Sequence, residues 1–176
     1  MKKINFKSKN KPIKIKMKKY FDHRGYFQEI FLKKLFNLDI KFTAIAKSKK
    51  KVIRGLHFQL KDKQTKFIFV AKGKILDVVV NLKKGSKEFG RISKFILKEG
   101  EGLFIPKHFA HGYECLSNRS IVLYHLEKYR NAKYESGIKY NDEKLKIKWK
   151  TKKPILSIRD KNHFSFDEFK QKYKSL

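Results

Sequence analysis

Apolar and polar positions alternate along this chain in short runs, and glycine-marked turns separate the runs. Residues 26–31 read as a strand after the turn Asp22-His23-Arg24-Gly25. Residues 33–38 allow a short helix, and 41–46 form the next strand. Segments 53–59 and 67–71 follow, and Lys72-Gly73-Lys74 reads as a hairpin turn into a strand over 75–82. A strand over 90–97 returns after the loop Lys83-Lys84-Gly85-Ser86. Glu99-Gly100-Glu101-Gly102 turns into Leu103-Phe104-Ile105-Pro106, and strands over 109–116 and 121–127 are read as partners across Ser117-Asn118-Arg119. Phe166, Phe169 and Tyr173 stand at helical spacing and predict a helix over 167–173. Many short strands at this spacing predict an all-β sandwich or barrel with a few short helices, the last near the C-terminus. No repeat, linker or compositional break divides residues 1–176, which are expected as one domain.

The stretch from Val52 to Phe69 holds the most chemistry. It runs Val-Ile-Arg-Gly-Leu-His-Phe-Gln, a lysine-rich loop, then Gln64-Thr65-Lys66 and an apolar strand. Side chains alternate between the faces of a strand, so Arg54, Leu56 and Phe58 are expected on one face and Ile53, Gly55, His57 and Gln59 on the other. A face with His and Gln fits a polar cavity, although a buried histidine with one hydrogen bond reads equally well. Gly55 beside the histidine marks close approach of a ligand or of another backbone.

Composition narrows the function classes. Sixteen Phe within 14% aromatic residues allow a real core, so the formal charge of +30 does not mean disorder. That charge comes almost wholly from Lys, with six Arg, and it is spread along the chain. Nucleic-acid sites favour arginine forks, and no zinc-finger, helix-turn-helix or aromatic RNA-binding motif is present. The expectation is therefore no nucleic-acid partner, while a small anionic partner such as a sugar nucleotide suits the charge. No apolar run reaches membrane-spanning length, and no apolar segment follows the first lysines as in a signal peptide. The single Cys115 excludes an internal disulfide framework and fits a reducing cytoplasm.

The candidate chemistry follows by elimination and then by content. There is no phosphate-binding glycine loop and no Gly-x-Ser-x-Gly. Metal-binding β-barrels of the cupin class use a His-x-His pair, but the matching place here reads His57-Phe58-Gln59, and no metal is expected. There remain His57, Lys66, His111 and Tyr124 on neighbouring strands, with Arg24, Arg54 and Asp160 further off. Histidine is a suitable base near neutral pH, tyrosine a suitable acid, lysine a partner for an oxyanion, and arginines clamp phosphates. That set suits proton abstraction beside a carbonyl in a phosphorylated substrate.

The chain resembles the dTDP-4-dehydrorhamnose 3,5-epimerase family of cofactor-free cupins. The likeness rests on Asp22-x-Arg24-Gly25-x-Phe27-x-Glu29, Arg54-Gly55-Leu56-His57-Phe58-Gln59, Gln64-x-Lys66 and the run from Gly73 to Val80. It continues through Gly85-Ser86 with Phe89-Gly90, Ile105-Pro106 with Phe109-Ala110-His111-Gly112, Leu123-Tyr124, and Gly137 to Asp142 with Leu145, Ile147 and Trp149. The resemblance implies a cupin jelly roll, no cofactor and a homodimer. It implies His57 as the base beside the 4-keto group, Asp160 as its orienting carboxylate, Lys66 for the enolate and Tyr124 as the acid across the ring. Arg24 and Arg54 then contact the diphosphate, Gln59 and His111 line the pocket, and Phe27 and Glu29 serve the nucleotide and the dimer contact.

Three departures stand near the sugar. Arg130 occupies the position of the family's second Tyr, Ala44 that of an Asn, and a Pro pair near Ala132 is missing. They leave open the sugar, hexose or larger, the base, thymine or guanine, and the number of centres inverted. The expected function is inversion of C3, C5 or both in a dTDP- or GDP-linked 4-keto sugar, in the cytoplasm, for surface polysaccharide. The alternatives are a 3,4-ketoisomerase on the same scaffold and a non-catalytic binding protein.

Overall fold

The computed structural model describes residues 10–174 and 176. The chain runs through β1 (Ile13–Lys16), β2 (Lys19–Asp22), β3 (Gly25–Gln28), α1 (Lys33–Phe36), β4 (Phe42–Lys49), β5 (Ile53–Gln59), β6 (Lys66–Lys72) and β7 (Lys74–Asn81). It continues with β8 (Ile92–Lys98), β9 (Glu101–Ile105), β10 (Phe109–Cys115), β11 (Arg119–Leu126), β12 (Glu135–Gly137), α2 (Ile158–Lys161) and α3 (Phe166–Tyr173). Two five-stranded antiparallel sheets face each other, ordered β1-β9-β6-β11-β4 and β12-β5-β10-β7-β8. The strands β2 and β3 form a separate hairpin. This is the expected all-β architecture, the jelly-roll sandwich of the cupin class.

The long apolar runs form strands because both faces of each sheet are covered. On β6, Ile68 and Val70 enter the core between the sheets, whereas Phe67 and Phe69 pack outward with Phe36 of α1. On β7, Ile75 and Val79 point inward, and Leu76, Val78 and Val80 pack with Phe169 of α3. Ser165 caps α3 and closes a capping box with Glu168, which fixes the helix start predicted from its Phe spacing.

Two predicted pairings are wrong. β6 and β7, joined at Gly73, lie in different sheets, as do β10 and β11, joined through Ser117 and Asn118. Both connections carry the chain across the sandwich instead of folding it back on itself. The corners brace each other: Lys74 N–H donates to Ser117 Oγ, and Ser117 Oγ donates to the Arg119 carbonyl. β1, β2, β12 and α2 were not predicted, being only three or four residues long.

Candidate active site

A cavity of about 240 Å³ opens between the sheets, lined among others by Arg54, His57, Lys66, His111, Tyr124 and Arg130. Arg54 and His57 share it although three residues apart, which corrects the alternation expected for β5. The register explains the change. His111 faces His57 and Tyr113 faces Arg54, so two residues of β5, Gly55 and Leu56, oppose one of β10, Gly112, as in a bulge. Gly55 permits it, with φ of +128°. A Cβ there would lie 2.5 Å from the Gly112 Cα, so the close neighbour is backbone.

The His57–Asp160 pair is built by two distant pieces of chain. His57 Nε2 lies 2.6 Å from Asp160 Oδ1. Asp160 sits on α2, where Ser157 Oγ caps the helix by accepting from the Asp160 N–H. Asp160 Oδ1 also meets His163 Nε2 at 3.2 Å. Burial alone would raise the Asp160 pKa, but the bonds from His163, His57 and Ser157 outweigh it and hold the carboxyl far below the usual range. The ionised Asp160 accepts the His57 Nε2–H, which leaves the lone pair on Nδ1 as the basic site. Burial lowers the His57 pKa from 6.5 against the pull of Asp160, so the ring is neutral at pH 7.

Lys66 and Tyr124 are tuned in opposite directions. Burial brings Lys66 down to about 8, opposed by Glu135 and Asp77. Burial first, then Tyr113 and Asp77, raise Tyr124 well above 10, so it keeps its proton. A charged Lys66 can stabilise a developing oxyanion and a protonated Tyr124 can donate a proton, which complements a neutral imidazole able to accept one. The rate is therefore expected to be bell-shaped in pH. It falls on the acid side, at a pH lower than the ordinary histidine value of 6.5, as His57 takes a proton, and falls again as pH rises through about 8, where Lys66 loses its charge. Lys66→Arg should remove the alkaline limb while costing rate, and kcat measured from pH 5 to 10 checks both limbs.

His111 lines the cavity with its Nε2 2.8 Å from Asp77 Oδ2, and both side chains are enclosed. Arg54 is held by Ser48 Oγ and the Lys47 carbonyl. Arg130 is anchored on Glu135 Oε2 through Nε and Nη2, and Arg159 reaches the same oxygen. Gln59 does not line the cavity as expected. Its amide holds the loops at Asp62, Tyr129 and Asn131. Arg24, Phe27 and Glu29 lie outside the cavity as well. Phe27 is 68% exposed on the β2–β3 hairpin, and Arg24 pairs with Asp22 of the same turn. Sequence reading missed His163 and Glu135. The only signal for His163 was its place three residues after Asp160.

The profile of the dTDP-4-dehydrorhamnose 3,5-epimerase family matches residues 10–168. The chain belongs to that family. The dTDP-4-dehydrorhamnose 3,5-epimerase of Methanothermobacter thermautotrophicus is 36% identical over 153 residues, covering 81% of this chain and 83% of its own. The Bacillus anthracis epimerase, solved with TDP and pyrophosphate bound, superposes with a TM-score of 0.85 at 34% identity, covering 90% of this chain and 95% of the other. The Legionella pneumophila enzyme, solved with dTDP-4-keto-L-rhamnose, gives 0.84 at 32%, with coverage of 89% and 88%. Members of this epimerase family are named as isomerases of sugar nucleotides, and the cavity is read in that light.

Proposed function

We propose that the protein inverts C3, C5 or both in a dTDP-linked 4-keto sugar without a cofactor. The carrying observation is the His57–Asp160 pair opening on the same cavity as Lys66 and Tyr124. His57 Nδ1 takes the proton beside the ketone, and Asp160 stabilises the imidazolium that forms. Lys66 bears the negative charge on O4 of the enolate, and Tyr124 returns a proton from the opposite face. The ketone acidifies both neighbouring carbons, so no metal or redox partner is needed. Arg54, which lines the same cavity, binds the diphosphate in this reading. The dTDP named with the solved relatives supports thymine over guanine. NMR in deuterated water with a panel of 4-keto sugar nucleotides tests the reading. Uptake of solvent deuterium next to the ketone is expected. Binding without any exchange would favour a non-catalytic role, and movement of the ketone to C3 would favour a ketoisomerase. Its place is the cytoplasm, in making a sugar for surface polysaccharide.

The same reading includes a homodimer. The β2–β3 hairpin exposes Tyr20, Phe21, Tyr26 and Phe27, with Phe21 at 75%, and carries Arg24 away from its own cavity. An exposed aromatic hairpin bearing the expected ligand contacts suits insertion into a second copy of this chain. Arg24→Glu and His57→Asn variants should each be inactive alone. Unfolded and refolded together, they should recover about a quarter of wild-type activity, since half the dimers are mixed and each mixed dimer has one complete site. No recovery, together with a monomer by light scattering, would count against the dimer.

A further inference from the structure

The cluster that orients the base can also act as a metal-donor set, a use the proposed reaction does not make of it. His57 Nε2 and His163 Nε2 converge on Asp160 Oδ1, and one donor atom from each residue lies within 4.8 Å of the others. The two rings stand at 80° with centroids 5.3 Å apart, so neither shields the carboxylate from the other. Gly137 gives His163 its place, because a Cβ there would lie 2.5 Å from His163 Nε2. Asp160 and His163 are buried, whereas the His57 side chain is 29% exposed and opens on the cavity, which gives an ion a way in. Two imidazoles and a carboxylate suit divalent transition metals.

We propose that His57, Asp160 and His163 bind a divalent transition-metal ion of the zinc type, and that this ion silences the enzyme. The silencing rests on the epimerase reading above, whereas the binding does not. Zinc bonds to nitrogen and carboxylate oxygen run about 2.0–2.2 Å, which puts neighbouring donors roughly 3.4 Å apart at near-tetrahedral angles. His163 and Asp160, at 3.2 Å, are about 0.2 Å short of that separation. His57 and Asp160, at 2.6 Å, must part by about 0.8 Å. Without metal, His57 Nε2 carries the proton and Nδ1 the lone pair. On binding, the Nε2 lone pair goes to the ion and the displaced proton moves to Nδ1, with no net gain or loss of protons. His57 then offers the substrate an N–H and cannot act as a base. His163 makes the same exchange. Asp160, ionised at neutral pH, supplies the negative charge of the site.

The test uses chelator-treated full chain, Co²⁺ absorption as a direct probe, and zinc affinity by competition with a chromogenic chelator. One Co²⁺ per chain with visible bands is expected. His163→Gln, which keeps a hydrogen-bond donor for Asp160 but is a poor ligand, should weaken zinc binding by at least about tenfold. His108→Gln, on a separate lysine-lined surface depression, should leave affinity unchanged. The chelator-treated enzyme should be fully active. Zinc should inhibit at a concentration equal to its Kd, and in His163→Gln the two should shift together, measured against that variant's own zinc-free rate. No stoichiometric binding at about 0.1 mM, unchanged affinity in His163→Gln, or activity lost on chelation would each overturn the proposal. Stoichiometric binding that needs His163, in a protein with no epimerase activity, would leave the site standing and refute the function reading instead.

Discussion

His57→Asn is expected to stop solvent deuterium uptake at both C3 and C5 while leaving dTDP affinity nearly unchanged. The loss should be about a thousandfold or more, since a positioned general base contributes roughly 10²–10⁴. His111 is the nearest alternative and has the same Nε2–carboxylate arrangement with Asp77, but its side chain is 4% exposed against 29% for His57. Asparagine is smaller than histidine and keeps an amide N–H for Asp160, so the buried carboxylate is not left alone. Arg54, the expected diphosphate contact, is untouched because it is held by Ser48 and Lys47. Carbon-resolved NMR in deuterated water reads the exchange, and calorimetry with dTDP reads the binding. Wild-type exchange in the variant would remove His57 from the role of base.

The parts of the site that were legible in the sequence are those on long strands. Alternation with a glycine beside the histidine located β5, and the apolar run after Lys66 located β6. What was hidden came from short elements and local breaks of period. A bulge changes which face a residue takes, and nothing in Arg54-Gly55-Leu56-His57 separates a bulged strand from a regular one except the glycine itself. The sandwich crossings at Gly73 and Ser117 look like hairpin turns because the turn chemistry of a sharp corner is the same in both. Helix α2 has four residues, too few for any period, so the frame that brings Asp160 to His57 over 103 positions was visible only through family resemblance. The resemblance also named Arg24, Phe27 and Glu29 for the ligand, and they lie on a hairpin outside the chain's own cavity.

The two carbons beside the ketone are expected to behave unequally. Net inversion needs a proton removed from one face of the ring and another delivered to the opposite face. Tyr124 is a competent donor, since burial keeps its hydroxyl protonated. By the family resemblance, the second tyrosine's position falls to Arg130, which is tied to Glu135 and whose side-chain type is a poor proton donor. The neighbouring Tyr129 does not substitute for it. Tyr129 is 68% exposed and stacks on Phe42 with centroids 6.1 Å apart. One donor therefore serves two centres, and the centre it does not face must take its proton from water. Carbon-resolved time courses in deuterated water should show one centre, assigned here to C3, labelled about a hundredfold faster than the other or more. Arg130→Tyr should raise the slow rate toward the fast one. It also removes one of the two arginines on Glu135, while Arg159 still holds that carboxylate at 2.7 Å, so β12 keeps its anchor to α2. Equal and rapid labelling of both carbons in the wild type would refute the inequality and would mean that water or Tyr129 reaches the second face as readily as Tyr124 reaches the first.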